Sequence, residues 1–125
     1  MKEFISTSKA PKAIGPYSQA VKAGGFLFCS GQIPLDPASM QIIGINAAEQ
    51  MRQVLTNITA VLEAANSELS QIIKTTIFLK DMGDFMAVNE VYGEYFKVNP
   101  PARSTVEVAR LPKDVLVEVE AIALA

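Results

Sequence analysis

Only two stretches of this chain repeat their apolar residues at helical spacing, and that scarcity of helix restricts the fold more than any other feature. Ala47, Met51, Val54, Leu55, Ile58, Val61, Leu62 and Ala65 recur at three- and four-residue steps, with Gln50, Arg52, Gln53, Thr56, Asn57 and Glu63 between them. One apolar stripe of this kind predicts an amphipathic helix over about 47–66. Phe85, Val88, Val91, Tyr92, Tyr95 and Phe96 form a second stripe, with Asp84 positioned to cap its start and Pro100-Pro101 to stop it. Six other segments, at roughly 2–6, 18–23, 26–30, 72–80, 103–109 and 115–124, are rich in Val, Ile, Phe and Thr and read as strands. Gly24-Gly25 is placed to turn the second into the third. Two helices are too few to cover both faces of such a sheet. The expected fold is therefore α+β, a mostly antiparallel six-stranded sheet with both helices on one face.

The other face then needs an explanation. In the last segment Val115, Val117, Val119, Ala121 and Ala123 alternate with Leu116, Glu118, Glu120, Ile122 and Leu124, so both faces carry apolar side chains. In the segment before it, Ser104, Val106 and Val108 oppose Arg103, Thr105 and Glu107. A mixed apolar and charged face of this kind is expected to be buried against another subunit, with ionisable groups lining a crevice between chains.

A length of 125 residues suits one domain over 1–125, large enough to bury roughly two thirds of the surface that its unfolded chain exposes. The first residues, MKEFISTSKAPKAIG, lack the apolar core of a signal peptide, and no apolar run approaches the roughly 20 residues of a membrane span, so a cytoplasmic protein is expected. The single cysteine, Cys29, follows Phe26-Leu27-Phe28 and is expected to be a reduced, buried thiol. The chain has no histidine, which removes histidine-based triads, histidine acid–base pairs and the usual zinc sets. Eleven basic residues against thirteen acidic ones, scattered and not striped, give little support for binding a phosphate backbone. Catalysis, if present, must use Arg, Lys, Glu, Asp, Tyr, Ser or Thr.

Several short blocks carry that chemistry: Gly15-Pro16-Tyr17-Ser18-Gln19, Ser30-Gly31-Gln32-Ile33-Pro34, Pro101-Ala102-Arg103-Ser104-Thr105-Val106-Glu107 and Val117-Glu118-Val119-Glu120. Pro100 and Pro101 favour extended backbone and deliver Arg103 at a strand mouth, where a guanidinium fork can hold a planar carboxylate. Gly15-Pro16 and Gly31 read as turns that bring backbone close to a ligand, each beside a hydroxyl, Tyr17 or Ser30. Glu120 shares a strand face with Glu118 and could align a water. Each residue also has an ordinary structural reading: Arg103 as a cross-strand partner of Glu107 or Glu118, Glu120 as a paired strand carboxylate, Tyr17 as an edge aromatic and Ser30 as a turn hydroxyl. Glu118, Arg110 and Lys113 have no role beyond structure on these grounds.

Taken together and in this order along essentially the whole chain, the blocks resemble the signatures of the reactive intermediate deaminase A (RidA) family. The resemblance implies a homotrimer of chorismate-mutase-like subunits with sites between subunits. It also implies cofactor-free hydrolysis of 2-iminopropanoate and 2-iminobutanoate, released by pyridoxal-phosphate enzymes acting on serine and threonine, to 2-keto acids and ammonia. Carried over by position, Arg103 binds the substrate carboxylate and the backbone of Thr105 hydrogen-bonds the imine end. Glu120 positions the attacking water, while Tyr17 and Ser30 shape the polar wall. No metal is implied, nor a membrane or nucleic-acid partner. Two departures stand out: Thr105 occupies a position where many members carry Cys, and Asp36-Pro37-Ala38-Ser39-Met40 lacks the Thr-Gly expected in that loop. Two alternatives compete with the deaminase: a non-catalytic trimer that binds small carboxylates, and an endoribonuclease-type translation inhibitor.

Overall fold

Asn46 starts the long helix, its Oδ1 accepting from the backbone N–H of Glu49 at 2.9 Å and so satisfying one of the free donors of the first turn. In the computed structural model, which describes residues 1–125, this helix, α1, spans Ala47–Ala64. The second helix, α2, spans Phe85–Tyr95. The strands are β1 (Glu3–Ile5), β2 (Ala20–Ala23), β3 (Phe26–Gln32), β4 (Ile72–Leu79), β5 (Ala102–Glu107) and β6 (Val117–Leu124). They form one six-stranded sheet in the order β1-β2-β3-β6-β4-β5, in which only the β4–β5 pair is parallel. That pair is joined through α2, as a parallel connection requires.

Both helices cover one face. Met51, Val54, Leu55, Ile58, Val61 and Leu62 of α1 are fully buried, in one cluster with Leu27, Ile77, Leu79, Val117, Val119 and Ala123 of the sheet. Each Leu or Ile buried this way contributes about 1.5–3 kcal/mol. A Leu55→Ala cavity would remove about 2–5 kcal/mol. The second helix is held to the sheet through Tyr92, whose hydroxyl lies 2.7 Å from that of buried Thr75 on β4.

Some local expectations are corrected. Asp84 precedes α2, but its backbone is already helical and its side chain caps nothing; Asp81, one turn earlier, accepts from Gly83 N at 2.8 Å. Gly31 is not in a turn but inside β3, at the irregularity in its pairing with β6. Gly24 and Gly25 do form the β2–β3 turn, with φ of 59° and 84° that suit glycine at both positions. In the loop 36–40, Asp36 Oδ2 accepts from Ala38 N and Ser39 N, and Met40 takes φ 60°, the left-handed conformation in which glycine is at ease.

The second face of the sheet is open and largely apolar. Phe4, Phe26, Phe28, Val106 and Leu124 are between 39% and 65% exposed there, where a monomer would ordinarily carry polar side chains. Glu118 and Glu120 project from β6 on this same face, alternating with its buried valines and alanines.

Candidate functional site

Gln19 builds the first half of the site, a role that its place in the sequence does not announce. Its buried amide accepts from Thr7 N at 2.7 Å and donates to Pro11 O at 2.8 Å, Thr7 O at 3.1 Å and Ala10 O at 3.3 Å. Four bonds from one side chain fasten the segment before β2 over the open face of the sheet. Gly15, with φ 119°, reverses the chain there, and Tyr17 N donates back to Gly15 O at 2.9 Å. The exposed Tyr17 hydroxyl accepts from Ile14 N at 3.4 Å. Ser30 on β3 donates its hydroxyl to Ser18 O at 2.6 Å, so its oxygen remains free to accept from a ligand.

Beneath this segment lies an open cleft of about 640 Å³, with Tyr17, Ser30, Gly31, Glu118 and Glu120 in its wall. Lys12 and Lys113 border it. Lys113 and Asp114 both adopt left-handed backbone, with φ of 55° and 57°. Such conformations persist where the surrounding structure imposes them. Arg110 is tied to Asp114 at 2.7 Å and takes no part in the cleft. Three of the sequence-derived site residues, Tyr17, Ser30 and Glu120, thus meet in one place.

Glu118, given no role by the sequence, is there too. It is half-buried, accepts no hydrogen bond and has no cation in contact; burial, followed by the neighbouring Glu120 charge, pushes its carboxyl above the ordinary range. A Cβ on Gly31 would collide with its Oε2, so glycine at 31 serves to make room for this carboxyl group.

Arg103 and Thr105 lie elsewhere. Arg103 pairs in register with Thr75, whose side chain is buried on the helix side, while Glu120 pairs with Thr76 of the same strand. Adjacent residues of a strand point to opposite faces. Arg103 accordingly stands over α2: its Nη1 donates to Asn89 Oδ1 at 2.7 Å, and its guanidinium carbon sits 4.9 Å and 5.6 Å from the ring centroids of Tyr92 and Phe85. Neither Glu107 nor Glu118 pairs with it, and the ion pairs of the chain are Arg52–Glu94 and Arg110–Asp114. Glu107 instead accepts from Met82 N at 2.8 Å. Both structural partners considered for Arg103 are therefore excluded. The guanidinium is oriented by a neutral amide and two aromatic faces, with its charge unspent.

Strand β5 is also an edge strand. Val108 N donates to Leu79 O at 2.9 Å, and strand alternation then turns the backbone N–H and C=O of Thr105 toward the open side. The Thr105 hydroxyl is buried with no hydrogen-bond partner.

Cys29 is buried, as expected, and burial pushes its thiol up to about 12, which disfavours the nucleophilic thiolate. No three His, Cys, Asp or Glu side chains come together in a way that could hold a metal ion. No helix is long and apolar enough to cross a membrane.

The family described as Endoribonuclease L-PSP matches residues 7–125. A RutC family protein of Pyrococcus horikoshii is 61% identical over 123 residues, 98% of each chain. The human 2-iminobutanoate/2-iminopropanoate deaminase is 47% identical over 124 residues, covering 99% of this chain and 90% of its own. The chain belongs to the RidA family. Among solved structures of RidA relatives, Escherichia coli TdcF with bound serine superposes with a TM-score of 0.94 at 45% identity, covering 98% of both chains. In the present chain, Tyr17, Ser30 and Glu120 share a cleft and Arg103 stands on the opposite face of the sheet.

Proposed function

We propose that this RidA protein hydrolyses small 2-imino acids, 2-iminopropanoate and 2-iminobutanoate, to 2-keto acids and ammonia, without a cofactor, at sites completed between copies of the chain in a homotrimer. The observation that carries this reading is the unspent charge of Arg103, a rigid fork without an acidic partner on an edge strand with free backbone groups. Such a fork suits a carboxylate held by two hydrogen bonds. The name of the human deaminase and the serine bound to TdcF support a small carboxylate bearing nitrogen at its α-carbon.

An imino acid is only a few ångströms long, and the Arg103 and Glu120 of one chain lie on opposite faces of the sheet with β4 between them. A site using both must therefore combine β5 of one copy with the cleft of another. The exposed apolar side chains of the open face support the same association. In such a site Arg103 holds the carboxylate and the Thr105 backbone holds the nitrogen end. Glu120 orients water against the imine carbon and accepts its proton, while Tyr17 and Ser30 bound the pocket. A protonated imine is already a strong electrophile, so orientation and carboxylate chemistry suffice.

Two alternatives are weaker. RNA cleavage is disfavoured by the two carboxylates in the cleft and by a net charge of -2, which repel a phosphate backbone. A binding-only trimer would have no use for Glu120. The test couples a serine or threonine dehydratase to keto-acid detection, with and without this protein, beside an RNA-cleavage assay. Faster keto-acid release with intact RNA is expected; unchanged release would overturn the deaminase.

A further inference from the structure

The two carboxylates of the cleft differ in setting although they stand two residues apart on one strand face. Their Cα atoms are about 6.7 Å apart along β6. Glu120 is exposed at the mouth, while Glu118 is half-buried below it, against Gly31. The chain has kept a bare backbone at position 31, and the freed space holds a carboxyl group that bonds to nothing. A strut would have a partner. This one faces the cleft without one.

We propose that Glu118 is the proton donor of the reaction, delivering a proton to the departing nitrogen while Glu120 removes one from water. The inference rests on the deaminase reading and deepens it. In the first step, water adds to the carbon of the protonated imine, the C=N electron pair moves to nitrogen, and Glu120 takes the water proton, leaving a neutral carbinolamine group. In the second, Glu118 gives its proton to the amino nitrogen and the C–N bond breaks with its electrons leaving on ammonia. The hydroxyl then becomes the ketone and returns its proton to Glu118. The proton on Glu120 passes to solvent or to ammonia, so that one iminium and one water yield one ketone and one ammonium.

The groups nearest Glu118 favour its holding a proton more tightly than an ordinary glutamate does, by burial first and the Glu120 charge second. Glu120, on the same strand, repels a second negative charge. Gly31 on β3 offers no side chain, and Phe78, its register partner on β4, is apolar. Lys12 and Tyr17 from the segment over the cleft, and Lys113 from the turn at 112–114, line the same space; the two lysine charges oppose this trend, but neither pairs with Glu118. Two carboxyl groups in unlike settings are how one site supplies an acid and a base together.

The experiment measures keto-acid formation from 2-iminobutanoate generated in place by a dehydratase, across a pH series, on the full-length wild type, Glu118→Gln, Glu120→Gln and Gly31→Ala. Binding of 2-oxobutanoate is measured by calorimetry on each. The wild-type profile should be bell-shaped. Glu118→Gln should lower turnover about 10²-fold and remove the alkaline limb, whereas Glu120→Gln should remove the acid limb. Affinity for 2-oxobutanoate should stay within about twofold in both, because neither residue holds the substrate carboxylate. Gly31→Ala displaces only the end of a flexible side chain, so the protein should fold, lose turnover, and add nothing further in the Glu118→Gln background. A Glu118→Gln protein with wild-type turnover and an intact alkaline limb would overturn the proposal and leave the deaminase standing. Absence of catalysis by the wild type would overturn both. Should Glu118→Gln fail to fold, Gly31→Ala decides: undiminished turnover refutes the role.

Discussion

Replacing Arg103 separates binding energy from stability, because the side chain contributes little to the fold and, on the proposed mechanism, much to the substrate. In the chain it makes one hydrogen bond to exposed Asn89 and lies over two rings. With about 0.5–1.5 kcal/mol for the hydrogen bond and about 0.5–1 kcal/mol for a partly solvated cation–π contact, Arg103→Ala should cost about 1–2.5 kcal/mol. In a chain of this length that lowers Tm by about 3–15 °C. The substrate carboxylate would lose two charge-assisted hydrogen bonds of about 1.5–3 kcal/mol each, a fall of about 10²–10⁴ in kcat/KM. The carboxylate is not altered in the reaction, so most of the loss should appear in KM, with a smaller fall in kcat from poorer orientation. Arg103→Lys keeps the charge without the fork and should recover only part of the loss. Single-turnover kinetics on freshly generated 2-iminopropanoate, beside a melting curve and a mass measurement, gives all these quantities. An Arg103→Ala protein with wild-type kcat/KM would refute the assignment, whatever its Tm.

Glu120→Gln should lower turnover by about 10²–10⁴ and leave 2-oxobutanoate binding in place, which stopped-flow kinetics and calorimetry would check. Gln19→Leu removes four hydrogen bonds and strands the buried carbonyl groups of Ala10 and Pro11; it should lower stability by about 2–4 kcal/mol in urea titration and weaken activity through the displaced Tyr17. Met40→Gly relieves a left-handed non-glycine residue and should raise stability by about 0.5–1 kcal/mol in the same titration. Phe28→Lys puts a charge in the middle of the exposed apolar face; sedimentation should then show the mass of one chain, and keto-acid formation should disappear with the assembly.

Periodicity alone determines most of this fold. Side chains at 3.6-residue spacing mark α1 and α2, and strict alternation along 117–124 separates the buried valines and alanines from the outward glutamates, because one buried face imposes one pattern on its element. The absence of histidine likewise limits the available chemistry through composition alone, and the resemblance of the motif blocks to RidA signatures names Tyr17, Ser30 and Glu120, which do share a cleft. What the sequence leaves open depends on contacts between distant segments. Arg103 and Glu120 look equivalent as strand residues, yet the register of β4 against both β5 and β6 sends them to opposite faces, and register is a property of pairing rather than of either strand. Gln19 reads as one more polar residue until Thr7, Ala10 and Pro11 fold around its amide. Gly31 reads as a turn until Glu118 on β6 is found to need its missing Cβ, and Glu118 reads as a structural carboxylate, a candidate partner of Arg103, until burial beside a second carboxylate raises its affinity for protons. Spacing along a chain encodes which face a residue takes within its own element. Only packing decides what stands opposite it.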